Sequence, residues 1–399
     1  MKYLVVCTCG RWQLPIIKLA QSQGIICIAV DANPNAIGFK YSDYAIVSDL
    51  SHTKYIAQEI SKITNEIIGA ISFCSDAGIK LSQELNRFFK VDSRLIFEAE
   101  NAINKVKQRQ IWRDTMILQP NFEVFDKPEA ALEFLRQTKL PKVIKPSDSS
   151  GSRGVSILVN QNNFDDAIKK AFAFSKHGQI IIEDYMEGTE YTVEVIAIQS
   201  KVKVLLITRK MKVDENTKTV ARELVSLSPS NFLYNEISKL AENAFQALKI
   251  NNGPGHLEMI VDETKGPIGV IEAAFRGGGF NLSDKLVQVA TGFNLTNFIL
   301  KQMLEKDVQI DNLNYRPSAL FFKPTMQGKL ISIQGLDVCR KIDGADIEIL
   351  CEIGQYFEQA DTDADRLCTI IVTADSEVDL KAKKERVESS LNFIFESGK

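Results

Sequence analysis

The sequence predicts an α/β chain that passes into α+β, with a parallel-sheet unit first, a mixed unit in the middle and a small antiparallel unit last. Three observations predict this. Over residues 1–100, short apolar runs alternate with amphipathic segments, the rhythm of a parallel sheet with helices on both faces. After about residue 101 that rhythm gives way to strand–loop–strand segments. From Ser318 onward the segments read as a mainly antiparallel α+β unit. A chain of 399 residues is long enough for two or three domains with a sizeable core.

Taken in order, KYLVVC (2–7) predicts a buried strand and LPIIKLAQSQG (14–24) a helix closed by Gly24. IICIAVDANP (25–34) and YAIVSD (44–49) predict two further strands, HTKYIAQEISKI (52–63) a helix, and IIGAISF (67–73) a fourth strand. The loop after the first strand, CTCGRWQ, lacks G-x-G-x-x-G, which argues against a dinucleotide site there. NAINKVKQRQIWRDTM (101–116) predicts one basic helix, and EVFDKPEAALEFLRQTKL a short strand with a helix starting near Pro128. NFDDAIKKAFAFSKHG predicts a helix ending at Gly178. LKAKKERVESSLNFIF predicts a closing helix, and Lys210-Met211-Lys212 reads as a charged strand end.

Composition narrows the function. Hydrophobic residues make up 45% and charged residues 25%, and the net charge is −3, so nothing draws the whole chain to nucleic acid or to an anionic membrane. No apolar run is long enough to cross a bilayer, and MKYLVVCTCG reads as a strand of the fold rather than an export leader. Seven scattered cysteines and three histidines offer no zinc spacing, so reduced thiols in a cytoplasmic protein are expected.

Three stretches carry chemistry. In VIKPSDSSGSRGV (143–155), Lys145 ends a strand and precedes a loop of small residues, whose backbone N–H groups can cradle phosphate oxygens. The same stretch fits a solvent-exposed hairpin with a surface lysine. In QIIIEDYMEGTEYTVEV (179–195), a linker at Glu183, Asp184, Tyr185 and Met186 can meet an adenine, and Glu190 can accept from ribose hydroxyls; a plain acidic hairpin is the alternative. In HLEMIVDETKGPIGVIEAAFRGGGF (256–280), two strands joined by a tight turn bring Glu258 and Glu272 face to face. Two such carboxylates repel unless a divalent cation lies between them, and Mg²⁺ suits carboxylates combined with nucleotide phosphates. Arg276 follows, beside Gly277 and Gly278, where it can hold an anion; two partly exposed glutamates beside an arginine are the alternative.

In this order and spacing the three stretches resemble the ATP-grasp superfamily, in the carboxylate–amine ligase branch with L-amino-acid ligase, carbamoyl-phosphate synthase and biotin carboxylase. The resemblance implies a pre-ATP-grasp domain at 1–100, an ATP-grasp domain at 101–317 with a mobile lid at about 113–187, and a small C-terminal domain at 318–399. It implies that Lys105 and Lys145 bind ATP phosphates, with Ser149, Ser150, Gly151, Ser152 and Gly154 as the covering loop. It assigns Glu183 to Met186 to adenine, Glu190 to ribose, Glu258 and Glu272 to Mg²⁺ (or Mn²⁺), and Arg276 to the substrate carboxylate or its acyl phosphate. Asn104 stands where the family often has aspartate. Ala274 stands where E-x-N-x-R has asparagine, so either the two glutamates suffice or another group such as Asn281 or water completes the metal shell. Arg222 is a candidate for a second substrate carboxylate and equally a surface arginine.

The implied reaction is ADP-forming ligation of a small-molecule carboxylate to an amine or ammonia. No nucleic acid or membrane partner is expected, and a homodimer is left open. Carbamoyl-phosphate-synthase-like or phosphoribosylglycinamide-synthetase-like enzymes, and a non-catalytic nucleotide-binding regulator, are the alternatives.

Overall fold

The computed structural model of the chain describes residues 1–149, 151, 153–212, 221–305, 308–310, 312–358 and 366–396. Four strands near the N-terminus pair in parallel, in the order Tyr44–Val47, Ile26–Asp31, Tyr3–Cys7 and Gly69–Ile71. Except in the edge strand Tyr44–Val47, which is mostly exposed, their apolar runs are buried on both faces because helices cover the sheet. Helix Ile79–Phe88 follows, with Leu81 and Leu85 four residues apart on its buried face.

A second sheet lies within residues 122–184. Strands Phe122–Phe125, Ile180–Asp184, Lys142–Pro146 and Ser156–Leu158 pair antiparallel. Helices Pro128–Gln137 and Phe164–Phe174 close a core of their own over it, built on Leu135, Ile144, Phe164, Ile168 and Ile182. This separate core falls within the range read as the lid.

The largest sheet is antiparallel and has eight strands among the described residues. Gly266–Ala274, Gly253–Asp262, Thr189–Ile198, Lys201–Lys212 and Ala221–Ser226 come first, and Ser318–Phe321, Cys368–Thr373 and Ala345–Ile349 extend it. The sheet therefore runs without a break across residue 318, and only Tyr356–Phe357, Gly328–Gln334 and Asn392–Glu396 form a small sheet of their own. Helix Tyr234–Ala247 packs Ile237, Ala241 and Phe245 against one face.

Three local expectations change. The stretch read as one helix from residue 101 is two, Ala99–Ile103 and Lys105–Asp114, because Asn104 is extended and its side chain caps the second helix by accepting from the Lys107 N–H (3.1 Å). The closing helix stops at Ser390, and Asn392–Glu396 leaves it as a strand paired with Gly328–Gln334. Strands Ile180–Asp184 and Thr189–Ile198 are not a hairpin: they belong to different sheets, and residues 185–188 link them.

Candidate active site

A cavity of about 390 Å³ opens where the middle sheet faces the largest sheet, and the N- and C-terminal parts close its far end. Strand alternation builds its floor. Along Thr189–Ile198, Glu190, Thr192 and Glu194 share one face, as do His256, Glu258 and Ile260 on the neighbouring strand. The register sets Glu272 opposite Glu258, Glu258 opposite Thr192, and Thr192 opposite Thr208, one polar row across four strands. The predicted confrontation of Glu258 and Glu272 is thus a cross-strand pair, and both line the cavity.

Cations gather on these carboxylates. Lys105 Nζ lies 2.8 Å from Glu272 and donates to the carbonyl of Ser149 (2.6 Å), while its backbone N–H donates to Ser147 (2.8 Å). The helix start and the phosphate-type loop are thereby tied together. Lys145 is 4% exposed, and its Nζ lies 2.8 Å from Glu183. Burial pushes the Lys145 amine down to about 8, and Glu183 opposes that shift only in part. Glu183 also accepts from Arg109 Nε (2.7 Å). Its carboxylate thus holds Lys145 and Arg109 while lining the cavity beside the linker.

The linker residues Asp184, Tyr185 and Met186 do line the cavity. Asp184 is engaged by Lys142 and by Asn121 (2.8 Å). Glu190 is almost fully buried between Lys210 and Lys212, the latter at 3.0 Å. Ser149 and Gly151 line the cavity as well, whereas Ser150 and Ser152 lie outside the described residues. Gly154 has a packing role: at φ +79, an added Cβ would meet Pro146 Cγ at 2.7 Å and Phe174 Cβ at 2.9 Å.

Arg276 is bidentate to Asp76 of the N-terminal unit, at 2.9 Å for both contacts. Burial works against its charge, but Asp76 outweighs this and holds the guanidinium firmly protonated. The glycines after it are required by contact. A Cβ on Gly277 would meet Ser283 Oγ at 2.6 Å, and one on Gly278 would meet Leu282 Cδ2 at 2.5 Å and Glu194 Oε1 at 2.9 Å. Glu194 is buried and accepts from His256 Nδ1, Ser283 Oγ and the Gly278 N–H (3.1 Å). Burial opposes the charged imidazole, yet Glu194 pushes His256 up to about 9. Burial likewise resists ionisation of Glu258, but Lys210 and His256 hold its carboxyl well below the usual range.

Two candidates sit elsewhere. Asn281 does not line the cavity, and its amide N–H groups donate to Glu348 (2.8 Å) and Thr369 (2.7 Å) of the C-terminal part. Arg222 is exposed and does not line the cavity, although its neighbours Ala221 and Leu224 do. No cluster of three or more His, Cys, Asp or Glu with metal-ligand geometry occurs among the described residues. The donor set at Glu258 and Glu272 thus fits a cation that takes its remaining ligands from phosphate and water, as Mg²⁺ does.

Sequence reasoning missed Lys210, Lys212, His256, Arg109 and Asp76. The first two alternate along a strand, His256 lies two residues before Glu258, and Arg109 lies one helical turn after Lys105. Each spacing was a readable signal of a shared face. Asp76 carries no local signal.

Residues 138–284 match the ATP-grasp domain, a stretch that includes Lys145, Glu258, Glu272 and Arg276 of this cavity. The fold of the chain over its whole length is that of an L-amino acid ligase from Bacillus licheniformis, with a TM-score of 0.85 at 20% identity, covering 100% of this chain and 99% of that one. Phosphoribosylglycinamide synthetase from Anaerococcus prevotii shares it at a TM-score of 0.74 and 19% identity, covering 99% and 100%. Among curated relatives, D-alanine--D-alanine ligase of Buchnera aphidicola subsp. Schizaphis graminum is 31% identical over 134 residues, 33% of this chain and 43% of that protein. The chain spans about half the length of the curated D-alanine--D-alanine ligases it matches. Among the described residues, no helix is long and apolar enough to cross a membrane.

Proposed function

We propose that the protein is an ATP-dependent, ADP-forming ligase that joins a small carboxylic acid to an amine through an acyl phosphate. The observation that carries this reading is the convergence in one cavity of Lys105, Lys145, the facing pair Glu258–Glu272 and the Asp76-oriented Arg276. Lys145 and Lys105 meet the phosphates of ATP, and residues 184–186 meet its base. Glu258 and Glu272 hold Mg²⁺, which when bound neutralises phosphate charge. Arg276 orients the acid so that a carboxylate oxygen attacks the γ-phosphorus and ADP departs with the bridging oxygen. Phosphoryl transfer needs chiefly position and charge neutralisation, which this set supplies. The amine then attacks the acyl carbon, and phosphate leaves. The loop at 147–154 covers the nucleotide and keeps water from the intermediate.

Ala274 favours one second reading, a nucleotide binder without turnover, because it offers no ligand opposite His256. Incubation with MgATP, a panel of carboxylic acids and hydroxylamine separates the two. The ligase gives a hydroxamate with ADP and phosphate, and the non-catalytic binder releases no ADP. A stable phosphorylated acid without hydroxamate would make the protein a kinase and overturn the proposal.

A further inference from the structure

Beyond Arg276 the cavity changes character. Trp12, Leu224, Phe280, Leu282 and Phe322 line this end, brought together from well-separated parts of the chain. The rings of Trp12 and Phe280 lie 4.9 Å apart and tilted by 51°, and those of Phe280 and Phe322 lie 6.2 Å apart, edge to face. Arg366 completes the wall. Its guanidinium lies 3.3 Å from the centroid of Phe322 and 4.7 Å from that of Phe280. Phe280 sits at φ +56 and Asn281 at φ +65. The left-handed region is sterically costly for a bulky residue, and three glycines that could take such a bend freely stand directly before it. Strain of this kind persists where the ring it positions has a use.

We infer that this end of the cavity is a specificity pocket for an aryl side chain on the acid held by Arg276, and that Phe280 and Phe322 set the preference. The inference rests on the ligase reading for the role of Arg276. The tilted and edge-on rings leave faces and edges that a further ring can meet in the offset or T-shaped manner aromatic pairs favour. The guanidinium adds a flat cationic surface that an aryl group engages better than an alkyl chain does. The side chain belongs to the acid because Phe280 is four residues from Arg276, on the same glycine loop.

The test is titration of the protein with 3-phenylpropionate, propionate, L-phenylalanine and L-alanine in the presence of MgADP, by calorimetry and by tryptophan fluorescence. Each aryl acid should bind at least about tenfold tighter than its small counterpart. Phe280→Ala and Phe322→Leu should remove that preference while MgADP affinity stays at the wild-type value. Trp12→Phe should abolish the fluorescence change on binding, since the other tryptophan, Trp112, is fully buried elsewhere. If Phe322→Leu fails to fold, Phe280→Ala on the half-buried ring carries the test. Equal affinity for aryl and alkyl acids, no binding of either aryl acid, an aryl preference shown only by amines in ligation, or a preference unchanged in the variants would each overturn the inference. Failure of the wild type to bind MgADP would instead count against the nucleotide reading, and the aryl-to-alkyl ratio would still decide the pocket.

Discussion

Lys145 carries the clearest residue-scale consequence. Its ammonium is buried against Glu183, and a charge-assisted contact to phosphate contributes about 1.5–3 kcal/mol. Lys145→Ala should therefore weaken MgATP binding at least about tenfold, measured by nucleotide titration of both proteins. The sign of the pH dependence follows from the same burial. The amine is pushed down to about 8, so the free protein holds Lys145 neutral above that pH, whereas phosphate requires the cation. Nucleotide affinity should fall as pH rises through 8, and Lys145→Arg should remove the slope, because a guanidinium stays charged. Glu258→Gln and Glu272→Gln should each abolish turnover without unfolding the protein, as judged by phosphate release and a thermal melt, since each removes charge from the cation site. Ala274→Asn should be tolerated, because position 274 lines the cavity.

At the scale of elements, the glycine loop shows how closely the site is packed. Gly278→Ala would drive a methyl group into Leu282 and into the Glu194–His256 pair. It should cost about 1–3 kcal/mol of stability, seen as a lowered melting temperature, together with reduced turnover. The strands around this loop were legible in the sequence, because their apolar alternation and the turn TKGP fix both hairpin and register. The linker at 185–188 was legible as a linker, but not as a bridge between sheets. Its flanking strands, IIIED and TEYTVEVIAI, have the same local pattern whether they pair with each other or with different partners. The break at Asn104 was hidden because the stretch is helical in propensity on both sides. The final strand was hidden because NFIF directly follows a helical run with no glycine or proline between them, and only pairing with Gly328–Gln334 draws it out.

At the scale of the whole molecule, ionic contacts join distant parts of the chain, one of them at the cavity. Asp76 brings the N-terminal unit to Arg276, and Glu348 of the C-terminal part meets Arg11 at 3.1 Å. Asp76→Ala would leave the part-buried Arg276 without its bidentate partner, at a cost below the about 3–5 kcal/mol of a fully buried pair. A lower melting temperature and weaker binding of the acid are expected, with nucleotide affinity less affected. The pair Glu194–His256 sets a pH window for global stability. His256 is raised from 6.5 to about 9, so its contribution is complete below 6.5 and is lost as pH rises through 9. Lys145 has the opposite sign, but only from about 8 upward, where rising pH relieves the penalty of burying its charge. Between 6.5 and 8 the melting temperature should therefore decline through His256, and His256→Gln should flatten that decline.

The sequence by itself determined the parallel unit at the start, Lys145 before its small-residue loop, and the two glutamates followed by arginine and glycines. Each of these is a local pattern whose period or spacing has few structural solutions. Tertiary structure alone decided that Glu183 serves Lys145, that Asn281 turns to Glu348, and that Arg222 stays outside the cavity. It also decided that Asp76 and Arg366 come from distant parts of the chain to complete the wall. The physical reason is that a side chain's role depends on which charge or ring lies within a few ångströms. For these residues that neighbour lies tens to hundreds of positions away, where neither strand alternation nor helical spacing reaches.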